Sequence, residues 1–258
     1  MFAKERRDQI YLMLKKNNAV TTSNLVQRFG VSIETIRKDL LALEQAGQLV
    51  RVHGGAVAQN DMTPFLELKQ RNQMCVEGKR ALSLKAVEFI CEGDVIAVDT
   101  GSTAILFAEA LKQRFHRLTV VTWSRDVLDI LCDHENFEVI LCGGYYMRKE
   151  NAFYGVFALD MLRNLHIPKA FLFPSAISVE FGICDYESEL YQIQKQLIAS
   201  SDEIYILADS SKFEKKALLK LADVNDRYYY ITDDLLPAEL EKLYKENHLK
   251  IFKGENKK

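Results

Sequence analysis

The chain has 258 residues, 48% of them hydrophobic, with 34 Lys and Arg against 36 Asp and Glu and a formal net charge of −2. That apolar content, with 10% aromatics, excludes a mainly disordered or fibrous chain, and the length suits a small module joined to a larger one. No uncharged apolar run reaches the ~18 residues of a membrane span, and the charged first residues do not resemble a secretory leader, so a cytoplasmic protein is expected. Five widely spaced cysteines with no CxxC pair read as small buried hydrophobes rather than as a disulfide or zinc framework.

A near-neutral sum argues against a nucleic-acid partner, but it hides an asymmetry. Residues 1–58 hold nine Lys or Arg and five Asp or Glu, +4, which leaves −6 for the rest of the chain. A basic segment beside an acidic body marks a polyanion-facing module. The polar stretch 59–64, which includes Pro64, separates the two patterns, and the expected domains are 1–58, a linker over 59–75, and 76–258.

Residues 4–16 predict a first helix with Ile10, Met13 and Leu14 on one face. A second starts after Thr22, read as its N-cap, carries Leu25, Val26 and Phe29, and stops at Gly30. A third begins at its N-cap Ser32, with Glu34 where the helix dipole favours an acid, and Gly47 ends it. Ile33, Ile36, Leu40 and Leu43 form its core stripe. Residues 48–57 alternate β-formers around Gly54 and Gly55 and read as a two-stranded wing. Only Gly30 and Val31 separate the second and third helices, the spacing of a helix-turn-helix whose second helix enters the major groove of double-stranded DNA. The residues expected at DNA are Thr22, Ser32, Glu34, Thr35, Arg37 and Lys38, with Arg51 and His53 of the wing against backbone or minor groove.

Beyond a linking helix expected over 66–91, strands and helices alternate: strands at 94–98, 118–122, 137–141, 170–173, 203–207 and 227–231, helices at 102–111, 125–132, 156–165, 188–199 and 215–221, then a helix and short tail over 237–258. Near-continuous apolar strands alternating with helices predict an α/β fold, a Rossmann-like and mostly parallel sheet with helices on both faces. Ligands of such sheets sit at the rim formed by the strand C-termini. Four polar loops fall there: 99–103, 122–124, Gly143-Gly144 extended by Arg148, and 208–213 with Lys212. The first opens a helix with free N–H groups and the hydroxyls of Ser102 and Thr103, chemistry suited to a phosphate.

The segment V-S-I-E-T-I-R-K-D-L over 31–40, followed by R-V-H-G-G-A over 51–56, resembles the DeoR family of bacterial transcriptional regulators. The resemblance continues through D-T-G-S-T (99–103), L-T-V-V-T-W-S (118–124), E-V-I-L-C-G-G (138–144) with Arg148, G-V-F-A (155–158) and A-D-S-S-K-F (208–213). It implies a winged helix-turn-helix, with the helix bearing Thr35, Arg37 and Lys38 as recognition helix, and a sensor domain similar in fold to sugar-phosphate isomerases. Lys38 stands where the family more often has Arg, which favours a phosphate contact over a base contact. The implied effector is a phosphorylated sugar or similar anion, and the implied residues are Asp99, Thr100, Gly101, Ser102, Thr103, Ser124, Gly143, Gly144, Arg148 and Lys212. Two departures stand out. Phe173-Pro174-Ser175-Ala176-Ile177 replaces the common G-x-D-G-I, and Trp123 replaces an Asn, so a lost carboxylate and a smaller, reshaped pocket are expected. Glu189 holds the family's matching acid in the segment 184–189.

No Glu/His or Ser/His/Asp constellation accompanies the nominal acids Asp99, Glu189 and Asp209, and the five histidines show no ligand spacing, so no catalytic site, metal or cofactor is expected. The leading expectation is a homo-oligomeric repressor of carbohydrate genes. A sugar-phosphate isomerase-like enzyme and a ligand-insensitive constitutive repressor stay open as alternatives.

Overall fold

The computed structural model describes residues 3–17, 19–46, 48–52, 55–58 and 66–255. They divide into two compact units, Met1–Met62 and Thr63–Lys258, so residues 66–75 of the expected linker fold with the second unit. Gly47, His53, Gly54 and the segment 59–65 lie outside the described residues.

The first unit runs α1 (Ala3–Asn17), β1 (Ala19–Thr21), α2 (Thr22–Phe29), α3 (Ile33–Gln45), β2 (Leu49–Val52) and β3 (Gly55–Ala58). Thr21, not Thr22, caps α2: its Oγ1 accepts from Asn24 N at 3.3 Å, and Thr22 is the first helical residue. Gly30 closes that helix in the left-handed conformation, φ 63°. Ser32 caps α3 as its sequence predicts, accepting from Thr35 N at 3.2 Å. The wing has three strands rather than two, because β1 pairs antiparallel with β3, which pairs with β2. Ile10, Leu14, Leu25, Ile36, Leu40, Leu43 and Leu49 form the core, with Met13 only partly buried against it. Ile33 leaves the expected stripe and is 47% exposed. As the first helical residue its Cβ tilts toward the helix N-terminus, away from the packed turns. Beneath this core a buried ion pair joins α1 to α3, Arg6 Nε to Asp39 Oδ2 at 2.5 Å.

The second unit continues α4 (Leu68–Arg71), α5 (Val76–Ala86), β4 (Val95–Val98), α6 (Ser102–Arg114), β5 (Leu118–Thr122), α7 (Arg125–Leu131), β6 (Phe137–Leu141), β7 (Tyr145–Met147), β8 (Ala152–Tyr154), α8 (Val156–Arg163), β9 (Ile167–Leu172), β10 (Ala176–Ser178), β11 (Gly182–Asp185), α9 (Ser188–Ala199), β12 (Ser201–Leu207), β13 (Leu219–Ala222), β14 (Tyr229–Asp233), α10 (Ala238–Glu246) and β15 (Lys250–Gly254). Seven strands form one parallel sheet in the order β15-β14-β12-β9-β4-β5-β6. Leu82, Phe107, Leu111, Val127 and Leu131 belong to one core layer, and Leu162, Ile193, Leu197 and Tyr244 to a second.

Three sequence expectations fail here. The helix over 66–91 is two helices broken at residues 72–75, with Cys75 at φ 51°, and a 3-10 turn over Val87–Phe89 follows. Residues 215–221 are not helical: β13 pairs with β11, so that sheet pairing overrides local helix propensity. The chain after residue 237 supplies α10 and then β15, an edge strand of the main sheet. No helix among the described residues is long and apolar enough to cross a membrane.

The buried pair between α1 and α3 should govern the stability of the first unit alone. Asp39→Ala leaves Arg6 buried without a counter-ion, a change worth about 3–5 kcal/mol. Chemical denaturation followed by circular dichroism should show an early loss of helix, while fluorescence from Trp123, the single tryptophan, keeps its midpoint because that residue is buried in the second unit.

Candidate functional site

Glu34, Arg37 and Lys38 lie exposed on α3, with Thr35 partly buried beside them. Arg37 Nη1 donates to Glu34 Oε1 at 2.6 Å, and the hydroxyls of Ser32 and Thr35 are 2.9 Å apart. Arg51 is exposed but held: its Nε and backbone N donate to the two oxygens of Glu44 at 2.7 and 3.0 Å. That backbone bond and then the guanidinium keep the Glu44 carboxyl below its ordinary range. Thr22 is partly buried at the start of α2.

In the second unit, consecutive strands run outward from β4 through β5 and β6, then restart on its other side with β9. The loops leaving β4 and β9 therefore diverge, and a ligand crevice opens at such a switch point. A cleft of about 790 Å³, counted to its open mouth, lies there. Thr100 and Ser102 from the β4 loop, Phe173 and Ser175 from the β9 loop, and Lys212 after β12 line it. Gly101 joins the first two at φ 130°, a backbone region that glycine adopts freely.

Three cations share the cleft: Arg71, Lys79 and Lys212. Lys79 Nζ donates to the carbonyls of Arg71 and Met74 at 2.5 and 2.7 Å. Arg71 Nε donates to Leu66 O at 3.0 Å, and its Nη2 pairs with Glu150. Lys212 Nζ donates to Pro174 O at 3.0 Å. Burial, and then the charge of Lys212, push the Lys79 ammonium down to about 8. Lys212 is likewise lowered, chiefly by burial. These like charges, held near the start of a 13-residue helix, make that part of the cleft cationic.

Acids share the cleft with these cations. Glu150, Asp185 and Glu187 line it, as does Gln194. Burial raises the Glu150 carboxyl despite Arg71 beside it. Gln194 Nε2 donates to Asp185 at 2.9 Å and to Asp99 at 3.0 Å. Glu150 Oε1 and Gln194 Oε1 are buried with no hydrogen-bond partner among the described residues. Asp99 itself sits behind the cleft lining, fully buried, and also accepts from Thr100 N at 2.7 Å and from Phe173 N. Burial pushes its carboxyl up to about 7.

Of the residues expected at the effector, Thr100, Ser102 and Lys212 line the cleft and Asp99, Gly101 and Thr103 support it from behind or beside. The others lie elsewhere. Ser124 is buried as the cap of α7, accepting from Val127 N at 3.3 Å. Gly144 packs against β8, where a Cβ would meet Tyr154 O at 2.3 Å, while Gly143 and the exposed Arg148 do not line the cleft. Position 175 lacks the family's carboxylate, but another acid lies beside it. Ser175 Oγ donates to Asp185 Oδ1 at 2.7 Å, so the acid arrives from β11. Trp123 is fully buried in the core rather than in the cleft, and Pro174 offers a carbonyl instead of bulk. The acids of the 184–189 segment at the cleft are Asp185 and Glu187, the latter paired with Lys149 at 2.6 Å, whereas Glu189 is exposed. Arg71 and Lys79 were hidden by the reading of 66–91 as one featureless helix. Within VEGKRALSLKA nothing in the sequence sets Lys79 apart from Arg80 and Lys85; only the fold buries it.

Residues 6–61 match the DeoR-like helix-turn-helix domain and residues 74–234 the DeoR C terminal sensor domain. A putative aga operon transcriptional repressor of Escherichia coli O157:H7 is 31% identical over 97% of this chain and 94% of its own. An L-fucose operon activator of Haemophilus influenzae is 33% identical, covering 94% of this chain and 96% of its own. Among solved structures, ribose 5-phosphate isomerase A from Neisseria gonorrhoeae aligns over 52% of each chain, at 20% identity and a TM-score of 0.39.

The buried Asp99 sets a pH dependence of stability. Folded, it keeps its proton to about pH 7, against an ordinary value of 3.8. Between those values unfolding releases a proton, so this group makes stability fall as pH rises, by up to about 1.4 kcal/mol per unit, and contributes no slope above 7. Asp99→Asn should flatten that fall in denaturation curves taken at pH 5 and 7; parallel curves would contradict the assignment.

Proposed function

The chain belongs to the DeoR family of transcriptional regulators, and on that premise we propose that it represses carbohydrate genes under control of a phosphorylated sugar or similar anionic metabolite. The observation that carries the effector class is the meeting of Arg71, Lys79 and Lys212 with the start of α6 in a cleft that also holds unsatisfied acceptors. The cations suit a phosphate; Glu150 Oε1 and Gln194 Oε1 suit sugar hydroxyls. One relative is named as a putative repressor of the aga operon and the other as an activator of the L-fucose operon.

The same cations hold the carbonyls of Leu66, Arg71 and Met74, in the stretch that follows the first unit in the chain. A phosphate competes for those N–H donors. Its binding loosens residues 66–75 and shifts the population of molecules competent for DNA. Two copies bind repeated or palindromic half-sites, with α3 of each in the major groove. An enzymatic reading finds less support. The carboxyl with the largest upward shift, Asp99, stands behind the cleft wall with Gln194 and backbone N–H groups on its oxygens.

DNA enriched from a random duplex library by the full chain provides the test. Arg37→Ala should weaken that complex by about 1–3 kcal/mol if Arg37 reads a base, with the decoy Lys242→Ala, far along the chain on α10, unchanged. Calorimetry with a panel of pentose and hexose phosphates should find one that binds, and Ser102→Glu or Lys212→Ala should abolish its heat while leaving apo DNA binding intact. Affinity for that ligand should fall as pH rises through about 8, because Lys79 must then take up a proton to meet the anion. Sugar-phosphate binding that survives both substitutions would refute the cleft as the site.

A further inference from the structure

We infer that Ile33 reads the methyl group of a thymine in the major groove and so sets one base of the operator. The inference rests on the placement of α3 at DNA proposed above. Ile33 is the first residue of α3, directly after the Ser32 cap. Its spacing places it with Ile36, Leu40 and Leu43, yet those three are at most 4% exposed while Ile33 is 47% exposed and stands apart from their cluster. The polar groups around it are engaged with one another: Arg37 with Glu34 at 2.6 Å, and Ser32 with Thr35 at 2.9 Å. An uncovered branched aliphatic therefore occupies the end of the helix that approaches base edges first.

Base edges in the major groove are mostly donors and acceptors. An aliphatic group placed over the amino group of cytosine or the O6 of guanine strips hydration and returns no hydrogen bond. Thymine alone carries a methyl group there, and covering it removes apolar surface from both partners. The chemistry of Ile33 thus selects thymine, and the neighbouring Arg37 and Lys38 serve guanine or phosphate beside it.

The test uses the full chain and the duplex it enriches from a random library. Each thymine is replaced in turn by deoxyuridine, which removes the methyl and nothing else, and dissociation constants are measured at one fixed salt concentration for the wild type and Ile33→Ala. Ile33 lies outside the core, and an unchanged thermal melt confirms that the variant is folded. At one thymine per half-site the wild type should lose about three- to fivefold on loss of the methyl. Ile33→Ala should bind the thymine duplex more weakly by the same factor and show no further loss with deoxyuridine there. Equal deoxyuridine losses in both proteins at every position, or none in either, would overturn the inference while leaving DNA binding standing. A chain that enriches no sequence would remove the placement of α3 at DNA, and the inference with it.

Discussion

The reversal of strand order between β4 and β9 is the constraint from which the sensor unit's chemistry follows. Two adjacent parallel strands whose crossovers leave in opposite directions cannot close the space beyond their C-termini. The chain fills that space with polar loops, and what those loops carry is decided by electrostatics. An open crevice floored by the start of α6 favours an anion, so cations gather in it. Once Arg71, Lys79 and Lys212 share a poorly hydrated cleft, their mutual repulsion needs compensation. It comes from main-chain carbonyls and from Glu150.

That compensation ties the cations to neutral carbonyls as well as to Glu150. The carbonyls of Leu66, Arg71 and Met74 accept from cations that a phosphate attracts more strongly, since charge-assisted bonds to an anion outweigh those to neutral carbonyls. Under the proposed function, ligand and residues 66–75 draw on one set of donors. Coupling between them needs no long pathway through the protein, only that competition.

The sequence disclosed whatever depends on short periods and turn chemistry. The capping of α3 by Ser32, the terminator Gly30 and the alternation of apolar strands with helices were legible because each is decided within a few residues. The loops Thr100–Ser102 and Lys212 were legible because they directly follow strands. What stayed hidden was decided by distant partners. Asp185 replaces a carboxylate missing from the β9 loop only because β10 and β11 fold back to bring it to Ser175. The helical look of 215–221 yields to pairing with β11, and Trp123 leaves the cleft for the core. Ile33 is the reverse case, a periodic core residue released by its place at a helix end.

The charge of +4 on the first fifty-eight residues also needs its structure to be interpreted. Arg6 is buried with Asp39, Arg37 lies against Glu34, and Arg51 is held twice by Glu44. Among the described residues at least three of the cations have a carboxylate partner within the unit, and those of Arg37 and Arg51 are exposed pairs that a phosphate replaces at little cost. Nonspecific attraction, which scales with the cations that release counterions from DNA, therefore loses the buried Arg6. In the proposed complex Arg37 exchanges an exposed pair with Glu34 for a bidentate contact to a guanine edge, and the gain comes from that fixed geometry. On the proposed placement of α3 at DNA, sequence discrimination rests on the quality of contact there more than on the sum of charge.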